Sequence, residues 1–195
     1  MLKEKLRNTN IILASGSPRR QQFFRDLDLD FEVRLKEIDE VYPPNLMAGE
    51  ITKYLSELKA TGFEGTLSDN DLLVTSDTIV WHNGRALGKP VDRDDAIRIL
   101  ESLSGSTHHV FTSVTFTTSK KQETITDVTA VTFVKISEPE IAFYLDRCAP
   151  FDKAGAYGIQ EWIGFIAVEK IDGSYTNVMG MPTAAVYRYL SEFSV

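Results

Sequence analysis

The sequence predicts an α/β protein with a mixed β-sheet flanked by helices. Residues 10–14 and 71–75 are short apolar runs with the length of strands in the interior of a sheet. Between them, residues 47–61 place apolar side chains at helical spacing. Residues 107–118 and 123–135 alternate polar and apolar side chains on either side of a polar turn, which indicates a long hairpin. Strands that alternate with helices, together with such a hairpin, are typical of a mixed sheet.

Local signals place the other elements in the first half of the chain. Pro18 favours the first turn of a helix, where its missing N–H leaves no hydrogen bond unmade. Residues 31–35 alternate like a strand, and residues 79–81 continue the strand at 71–75 beyond a polar interruption. Residues 82–85 contain Asn-Gly and therefore predict a hairpin turn.

The second half of the chain carries clear helix starts. Asp92 is predicted to precede a helix because its carboxylate can accept hydrogen bonds from the first backbone amides. Ser137 and Glu140 have the spacing of a capping box, which opens another helix. Residues 163–169 form an apolar run that we interpret as a strand, and Pro182 predicts the start of a terminal helix.

Composition and charge limit the classes of protein. The chain has 195 residues, 43% of them hydrophobic, and a formal net charge of −7, so we expect one compact domain over residues 1–195. No apolar run approaches the ~20 residues that cross a bilayer, and the N-terminus lacks the apolar core of a secretion signal. We therefore expect a cytoplasmic protein with no membrane partner. The negative charge argues against sequence-independent binding of nucleic acid, which depends on many basic contacts to phosphate.

The sequence also limits the metals that could bind. Cys148 is the single cysteine, and two of the three histidines are adjacent at His108 and His109. This set argues against an internal disulfide and against a metal held by thiolates or imidazoles. Any metal is expected to be a hard ion held by oxygen.

The turn at residues 15–20, Ser-Gly-Ser-Pro-Arg-Arg, is the most informative motif of the chain. It lies between a predicted strand and a predicted helix, and it combines two hydroxyls with two guanidinium groups. Helix N-termini bind oxyanions, and arginine can grip phosphate oxygens with two donors at once. The motif thus predicts a phosphate cradle, although a capped surface turn with two solvated arginines would use the same residues.

A second motif places a carboxylate, Asp77, inside an apolar strand. Such a group is costly to bury unless it is paired, hydrogen-bonded or bound to metal. Asp77 is therefore either a structural hydrogen-bond acceptor for nearby amides or a functional residue of the site. Lys89 and Lys153 lie beside turn-forming residues, so a local positive pocket could exist within an acidic protein.

Taken together, the motifs resemble the Maf family of nucleoside triphosphate pyrophosphatases over nearly the whole chain. The matching segments are residues 15–20, 38–40, 59–60, 77–78, 88–90, 104–105 with His108, and 152–160. The resemblance implies the Maf/Ham1 (inosine triphosphatase-like) fold: an elongated mixed sheet flanked by helices, with two lobes and a central cleft. It also implies that a symmetric homodimer can form. The chain departs from the family pattern at Ser76, where Ala or Gly is usual, and at Met181, where Leu is common.

The same resemblance implies a reaction and roles for individual residues. The ending at residues 157–160 is similar to the branch that acts on dTTP and UTP, which are cleaved between the α and β phosphates. Asp77 would accept a proton, and Glu40 with Asp77 would hold a divalent cation, Mg²⁺ or Mn²⁺. The expected phosphate ligands are Ser15, Ser17, Arg20, Lys59, Lys89 and Lys153. The residues expected to select the base are Arg19, Thr78 and Gln160.

Two other functions remain open from the sequence. One is a nucleotide-binding regulator of cell division or septum formation, in which hydrolysis is incidental. The other is a sugar-nucleotide or phosphosugar enzyme that uses the arginine-rich turn for its phosphates. A nucleoside triphosphate substrate is the partner expected under the main interpretation.

Overall fold

The computed structural model describes residues 2–193. Met1, Ser194 and Val195, which belong to the predicted domain, lie outside the described residues. The strands are β1 (Asn10–Leu13), β2 (Phe31–Val33), β3 (Asp71–His82), β4 (Arg85–Leu87), β5 (Thr107–Thr117), β6 (Gln122–Phe133) and β7 (Val168–Asp172). The helices are α1 (Leu2–Lys5), α2 (Pro18–Asp26), α3 (Gly49–Thr61), α4 (Arg93–Leu103), α5 (Glu138–Cys148), α6 (Trp162–Ala167), α7 (Tyr175–Val178) and α8 (Thr183–Glu192).

The strands form one mixed sheet in the order β2-β1-β3-β5-β6-β7, and β4 pairs with β3 outside this path. β1 pairs in parallel with both β2 and β3, whereas β3 pairs antiparallel with β4 and β6 with β7. The α/β class with a mixed sheet is therefore confirmed. Within residues 2–193, no helix combines the length and the apolar character that crossing a bilayer requires.

The predicted helix starts are confirmed because they depend on local chemistry. The Asp92 carboxylate accepts a hydrogen bond from the backbone N–H of Asp95 at 2.8 Å. Ser137 and Glu140 form the complete capping box at the start of α5. Pro182 directly precedes α8, as predicted.

The prediction of a strand at residues 163–169 is wrong. Trp162–Ala167 forms α6, and only Val168 and Glu169 belong to a strand. A short apolar run has no clear period, so it does not distinguish a buried helix from a buried strand. Gly164 allows α6 to pack closely, since a Cβ there would lie 1.8 Å from the backbone oxygen of Ile159. The four-residue helices α1 and α7 were not predicted, because they are too short to show a helical period.

The chain forms two compact units. The first comprises the chain up to Asp77, Thr112–Asp127 and the chain from Gly180, and the second comprises Thr78–Phe111 and Val128–Met179. Each unit has a hydrophobic core of its own, built around residues such as Phe24 and Phe116 in the first and Phe133 in the second. β3 carries the chain from the first unit into the second between two consecutive residues, Asp77 and Thr78.

In the first unit, α3 packs on the sheet through buried hydroxyl groups as well as apolar side chains. Two chains of hydrogen bonds run from the helix across β5 to β6, at oxygen–oxygen distances of 2.7–2.9 Å: Thr52–Ser113–Thr126 and Ser56–Thr115–Thr124. We call these six residues the hydroxyl ladder. Because each hydroxyl has a partner, the interface avoids the cost of burying unpaired polar groups.

In the second unit, the core contains a histidine. His108 on β5 is fully buried, and its Nε2 lies 2.8 Å from the Tyr157 hydroxyl. Among residues 2–193, its Nδ1 has no hydrogen-bond partner. Burial, reinforced by the nearby His82 and His109, lowers the pKa of His108 from 6.5 to about 3. The imidazole is therefore neutral in the folded protein.

This neutral histidine predicts a loss of stability in mild acid. In the unfolded chain His108 binds a proton below its ordinary pKa of 6.5, whereas in the folded protein it stays neutral down to its pKa of about 3. Between these pH values, protonation therefore favours unfolding. The expected loss in free energy of unfolding is about 1.4 kcal/mol per pH unit in that range. Urea unfolding at pH 5.0, 6.0 and 7.5 measures it. His108→Gln should flatten the dependence, whereas the matched change at the exposed His109, His109→Gln, should retain it; equal slopes in both variants would contradict the assignment.

Candidate active site

The first unit contains, at the start of α2, the turn from which the sequence predicts a phosphate cradle. Ser17 precedes the helix, and its hydroxyl accepts a hydrogen bond from the backbone N–H of Arg20. The Ser15 hydroxyl accepts from the backbone N–H of Ser17 at 3.3 Å. Both hydroxyls thus belong to one strand-to-helix turn, and this turn also carries Arg19, which is half-buried on the first turn of α2.

Arg20 reaches from α2 to the backbone of β3. Its Nη1 donates to the carbonyl of Ser76 at 2.9 Å, and its Nε donates to the carbonyl of Gly180 at 2.9 Å. These bonds hold the guanidinium beside the strand position that carries Asp77. The buried Ser76 hydroxyl has no hydrogen-bond partner among the described residues.

Lys59, near the end of α3, lies between two carboxylates. Its ammonium nitrogen is 2.6 Å from Oδ1 of Asp77 and 3.1 Å from Oε2 of Glu40. The Asp77 side chain is 10% exposed and the Glu40 side chain 54% exposed, so one carboxylate is buried and the other faces solvent. The structure brings these three residues and Arg20 together in one cluster.

The environment of Asp77 favours proton acceptance. Burial raises the pKa of Asp77 above its ordinary value of 3.8, and the neighbouring Lys59 and Arg20 offset only part of that rise. A carboxylate with a raised pKa is a stronger base than an exposed one, and positioned bases of this kind occur at catalytic sites. Asp77 is therefore a buried carboxylate beside two cations and one further acid.

The second unit carries the other predicted site residues. Gly155 has a φ of +70°, and a Cβ there would lie 2.7 Å from Cγ2 of Val80, so the backbone can approach β3 only because residue 155 is glycine. The Gly155 N–H donates to the carbonyl of Gly88 at 3.0 Å. This bond connects the loop of the exposed Lys89 to the segment that follows Lys153.

Lys153 lies within an ion-pair cluster of the second unit. It is 8% exposed, and its ammonium nitrogen is 2.7 Å from Oδ1 of Asp152 and 3.0 Å from Oε1 of Glu161. Gln160, the residue before Glu161, is half-buried, as is Thr78 on β3. The ammonium is thus fixed by carboxylates of its own loop rather than exposed on the surface.

Sequence reasoning missed two residues of this loop region, Tyr144 and Glu161. The Tyr144 hydroxyl donates to Oε2 of Glu161 and accepts the Gly158 N–H at 3.0 Å. Glu161 could have been found from the sequence, because it is a charged residue directly after Gln160. Tyr144 gave none, since a tyrosine on the apolar side of a helix usually belongs to the core.

Two carboxylates, those of Asp77 and Glu40, meet at Lys59 and are candidate ligands of a metal ion. In the part of the chain that the structure describes, no three or more His, Cys, Asp or Glu side chains gather in a group able to hold a metal ion. One cation, the Lys59 ammonium, nevertheless reaches both Asp77 and Glu40. Mg²⁺ is often held by one or two carboxylates together with substrate phosphates, so this pair fits a hard divalent ion.

Comparison with known proteins agrees with these observations. The family model described as "Maf-like protein" matches residues 10–193. The chain is 61% identical over 191 residues to a Flavobacterium johnsoniae protein named dTTP/UTP pyrophosphatase, with 98% of each chain covered. Proteins with the same name from Flavobacterium psychrophilum and Bacteroides fragilis are 62% and 49% identical over 190 and 183 residues. These matches cover 97% of this chain and 97% of the relative in the first case, and 93% and 95% in the second.

The predicted fold is supported by a solved structure. The Staphylococcus aureus Ham1 protein superposes with a TM-score of 0.52, covering 92% of this chain and 99% of the other. The two sequences are only 12% identical, so this likeness concerns the fold alone.

Proposed function

Because this chain belongs to the Maf family, we propose that it is a nucleoside triphosphate pyrophosphatase that hydrolyses dTTP and UTP to the monophosphate and pyrophosphate. The observation that carries the proposal is the buried Asp77 carboxylate, held between Lys59 and Arg20 at a strand-to-helix phosphate cradle. A base, positive charge and an anion-binding helix start are the components that this hydrolysis requires.

In the proposed reaction, Asp77 orients a water molecule and accepts its proton. The water oxygen forms a bond to the α-phosphorus while the bond from the α-phosphorus to the α–β bridging oxygen breaks. Pyrophosphate leaves with the electron pair of that bond. The raised pKa of Asp77 suits this role, since a general base works best when its pKa approaches the working pH.

Positive charge and hydrogen-bond donors are proposed to hold the triphosphate. Arg20 and Lys59 lie beside Asp77 in the first unit, and Ser15 and Ser17 offer hydroxyls at the start of α2. Lys89 and Lys153 are the proposed phosphate ligands of the second unit. Such groups stabilise the charge that develops on the leaving pyrophosphate.

Glu40 and Asp77 are the proposed ligands of a divalent cation, Mg²⁺ or Mn²⁺. Both offer hard oxygen donors within reach of one cation, as their shared contact with Lys59 demonstrates. When bound, such an ion would neutralise negative charge on the phosphate oxygens. Lys59 lies between the two carboxylates and offsets part of their negative charge.

Base selection is proposed to depend on Arg19, Thr78 and Gln160. Uracil and thymine present acceptor, donor and acceptor groups along one edge, and a single side-chain amide offers both a donor and an acceptor. A base with a different pattern would leave buried polar groups unpaired, which is the basis of strong discrimination. We therefore expect cytosine to be disfavoured.

The setting of the reaction is part of the proposal. We expect the protein to act in the cytoplasm on the nucleotide pool without a membrane partner, and its net charge of −7 argues against a nucleic acid partner. We expect one Maf-like domain over residues 1–195, which by its resemblance to the family can form a symmetric homodimer.

A turnover panel tests the proposed function. The protein is incubated with canonical nucleoside triphosphates and either Mg²⁺ or Mn²⁺, and the products are separated by chromatography. We expect monophosphate and pyrophosphate from dTTP and UTP. Release of inorganic phosphate with a diphosphate would contradict cleavage between the α and β phosphates. Tight binding without turnover would instead support a nucleotide-binding regulator.

Gln160→Ala is expected to reduce discrimination between bases. We expect the ratio of kcat/KM for UTP to that for CTP to fall about tenfold, because the amide that pairs with uracil is lost. Steady-state kinetics on both nucleotides measures the ratio. If the variant loses activity equally on both, Gln160 does not contact the base.

A further inference from the structure

The Glu161 carboxylate connects α5 to the loop that carries proposed site residues. One oxygen, Oε1, lies 3.0 Å from the ammonium nitrogen of Lys153, and the other accepts a hydrogen bond from the Tyr144 hydroxyl. Glu161 follows Gln160 directly in the chain. A single side chain therefore contacts the proposed phosphate ligand Lys153 and adjoins the proposed base-reading residue.

Tyr144 fixes this carboxylate from the interior of the second unit. Its side chain is fully buried on α5, and its hydroxyl is used twice, as a donor to Glu161 and as an acceptor for the Gly158 N–H at 3.0 Å. Burial and the hydrogen bond to Glu161 raise the pKa of Tyr144, so its hydroxyl keeps its proton and remains a donor. Both capacities of a buried hydroxyl are satisfied, which makes this arrangement rigid.

The turn around Gln160 is closely packed. A Cβ on Gly158 would lie 2.8 Å from Cδ of Glu161, so the carboxylate folds directly beneath the Gly158 backbone. The Glu161 N–H donates to the Gly158 carbonyl at 2.9 Å and closes the turn. Gln160 lies within this closed turn.

We infer that Tyr144 and Glu161 are positioning residues for nucleotide selection, which hold the Gln160 turn and the Lys153 ammonium in one arrangement. The inference rests on the proposed function, because it assigns the loop to a nucleotide. Neither residue is required to touch the substrate. They act by fixing, before binding, two groups that would otherwise have to be ordered when the nucleotide binds.

Two substitutions release the loop in different ways. Tyr144→Phe removes the donor to Glu161 and leaves the Gly158 N–H without its acceptor. Glu161→Gln keeps the shape of the side chain and an acceptor for Tyr144, but it removes the negative charge that pairs with Lys153. Exposed residues of the same unit provide matched controls, Tyr175→Phe and Glu169→Gln.

The experiment compares kcat and KM for UTP and CTP in the wild-type protein, the two variants and the two controls. We expect the ratio of kcat/KM for UTP to that for CTP to fall about five- to tenfold in each variant, chiefly through a higher KM for UTP. The controls should keep the wild-type ratio. A merely structural role would lower the kcat for both nucleotides alike and leave the ratio unchanged, and that result in folded Glu161→Gln protein overturns the inference.

A double variant tests whether the two residues act together. If Tyr144 and Glu161 position one turn, Tyr144→Phe combined with Glu161→Gln should lose no more discrimination than the more severe single variant. Multiplied losses would overturn the shared role. Should Tyr144→Phe fail to fold, the Glu161→Gln ratio decides the question.

Failure of the proposed function would have a different signature. A wild-type protein without turnover of any nucleoside triphosphate contradicts the proposed function, whatever the variants do. Titration calorimetry with UTP and CTP then still tests the inference, since the ratio of their Kd values should fall about five- to tenfold in Glu161→Gln and not in Glu169→Gln. Equal Kd ratios in the two proteins would overturn it.

Discussion

Asp77→Asn is expected to reduce the kcat for dTTP and UTP about 1,000-fold, the largest effect of any substitution considered. Asparagine has the size of aspartate but cannot accept the proton of the attacking water. Nucleotide affinity measured without a divalent ion should change by no more than about threefold, because the cations and the helix start that bind phosphate remain. Single-turnover kinetics, together with calorimetric binding of UTP, separates the two effects.

The same strand offers a matched control for Asp77. Asp71, at the start of β3, is also buried, and it accepts hydrogen bonds from the Ser68 N–H and the Asn10 amide rather than contacting the cluster. Asp71→Asn should lower stability but leave the kcat of the folded protein near the wild-type value. Near-normal turnover by Asp77→Asn would rule out its role as the proton acceptor.

Lys59→Met is expected to lower kcat/KM about 100-fold. The substitution keeps the length and apolar stem of the side chain but removes the ammonium that lies between Asp77 and Glu40. The buried Asp77 then loses its nearest cation, and the triphosphate loses a proposed ligand. Steady-state kinetics with excess Mg²⁺ measures the loss.

The same helix provides the control for Lys59. Lys53 is an exposed lysine of α3, and Lys53→Met should leave kcat/KM within about twofold of wild type. If excess Mg²⁺ restored full activity to Lys59→Met, then Lys59 would serve only to neutralise the two carboxylates. That outcome would contradict its assignment as a phosphate ligand.

The parts of the fold that the sequence predicts correctly depend on neighbouring residues. The cap at Asp92 and the capping box at Ser137 are complete within three or four residues, so a short stretch of sequence contains all their partners. Residues 163–169 lack such a signal. The close approach of Gly164 to the backbone of Ile159 accompanies the helix, and it is a property of the folded loop that the sequence does not show.

The same distinction applies to the candidate site. Asp77 stands out in the sequence because it interrupts an apolar strand, so a buried carboxylate with either a structural or a functional role could be expected there. The ion pair between Lys153 and Glu161 could not, since it requires the loop to turn back on itself. Tyr144 was still less predictable, because its hydroxyl meets the loop from a helix earlier in the chain.

The hydroxyl ladder between α3 and the sheet determines the helix's register. Thr52 and Ser56 are about one turn apart, so a slip of α3 by one turn, about 5.4 Å, lets one of them meet the other's partner but leaves one hydroxyl on α3 and one on β5 unpaired. Apolar contacts alone tolerate such a slip more easily, since they have little directional preference. The same displacement would carry Lys59 beyond the reach of Asp77. The hydroxyl ladder therefore favours the position of α3 along the sheet that brings Lys59 to Asp77, although neither residue belongs to the ladder itself.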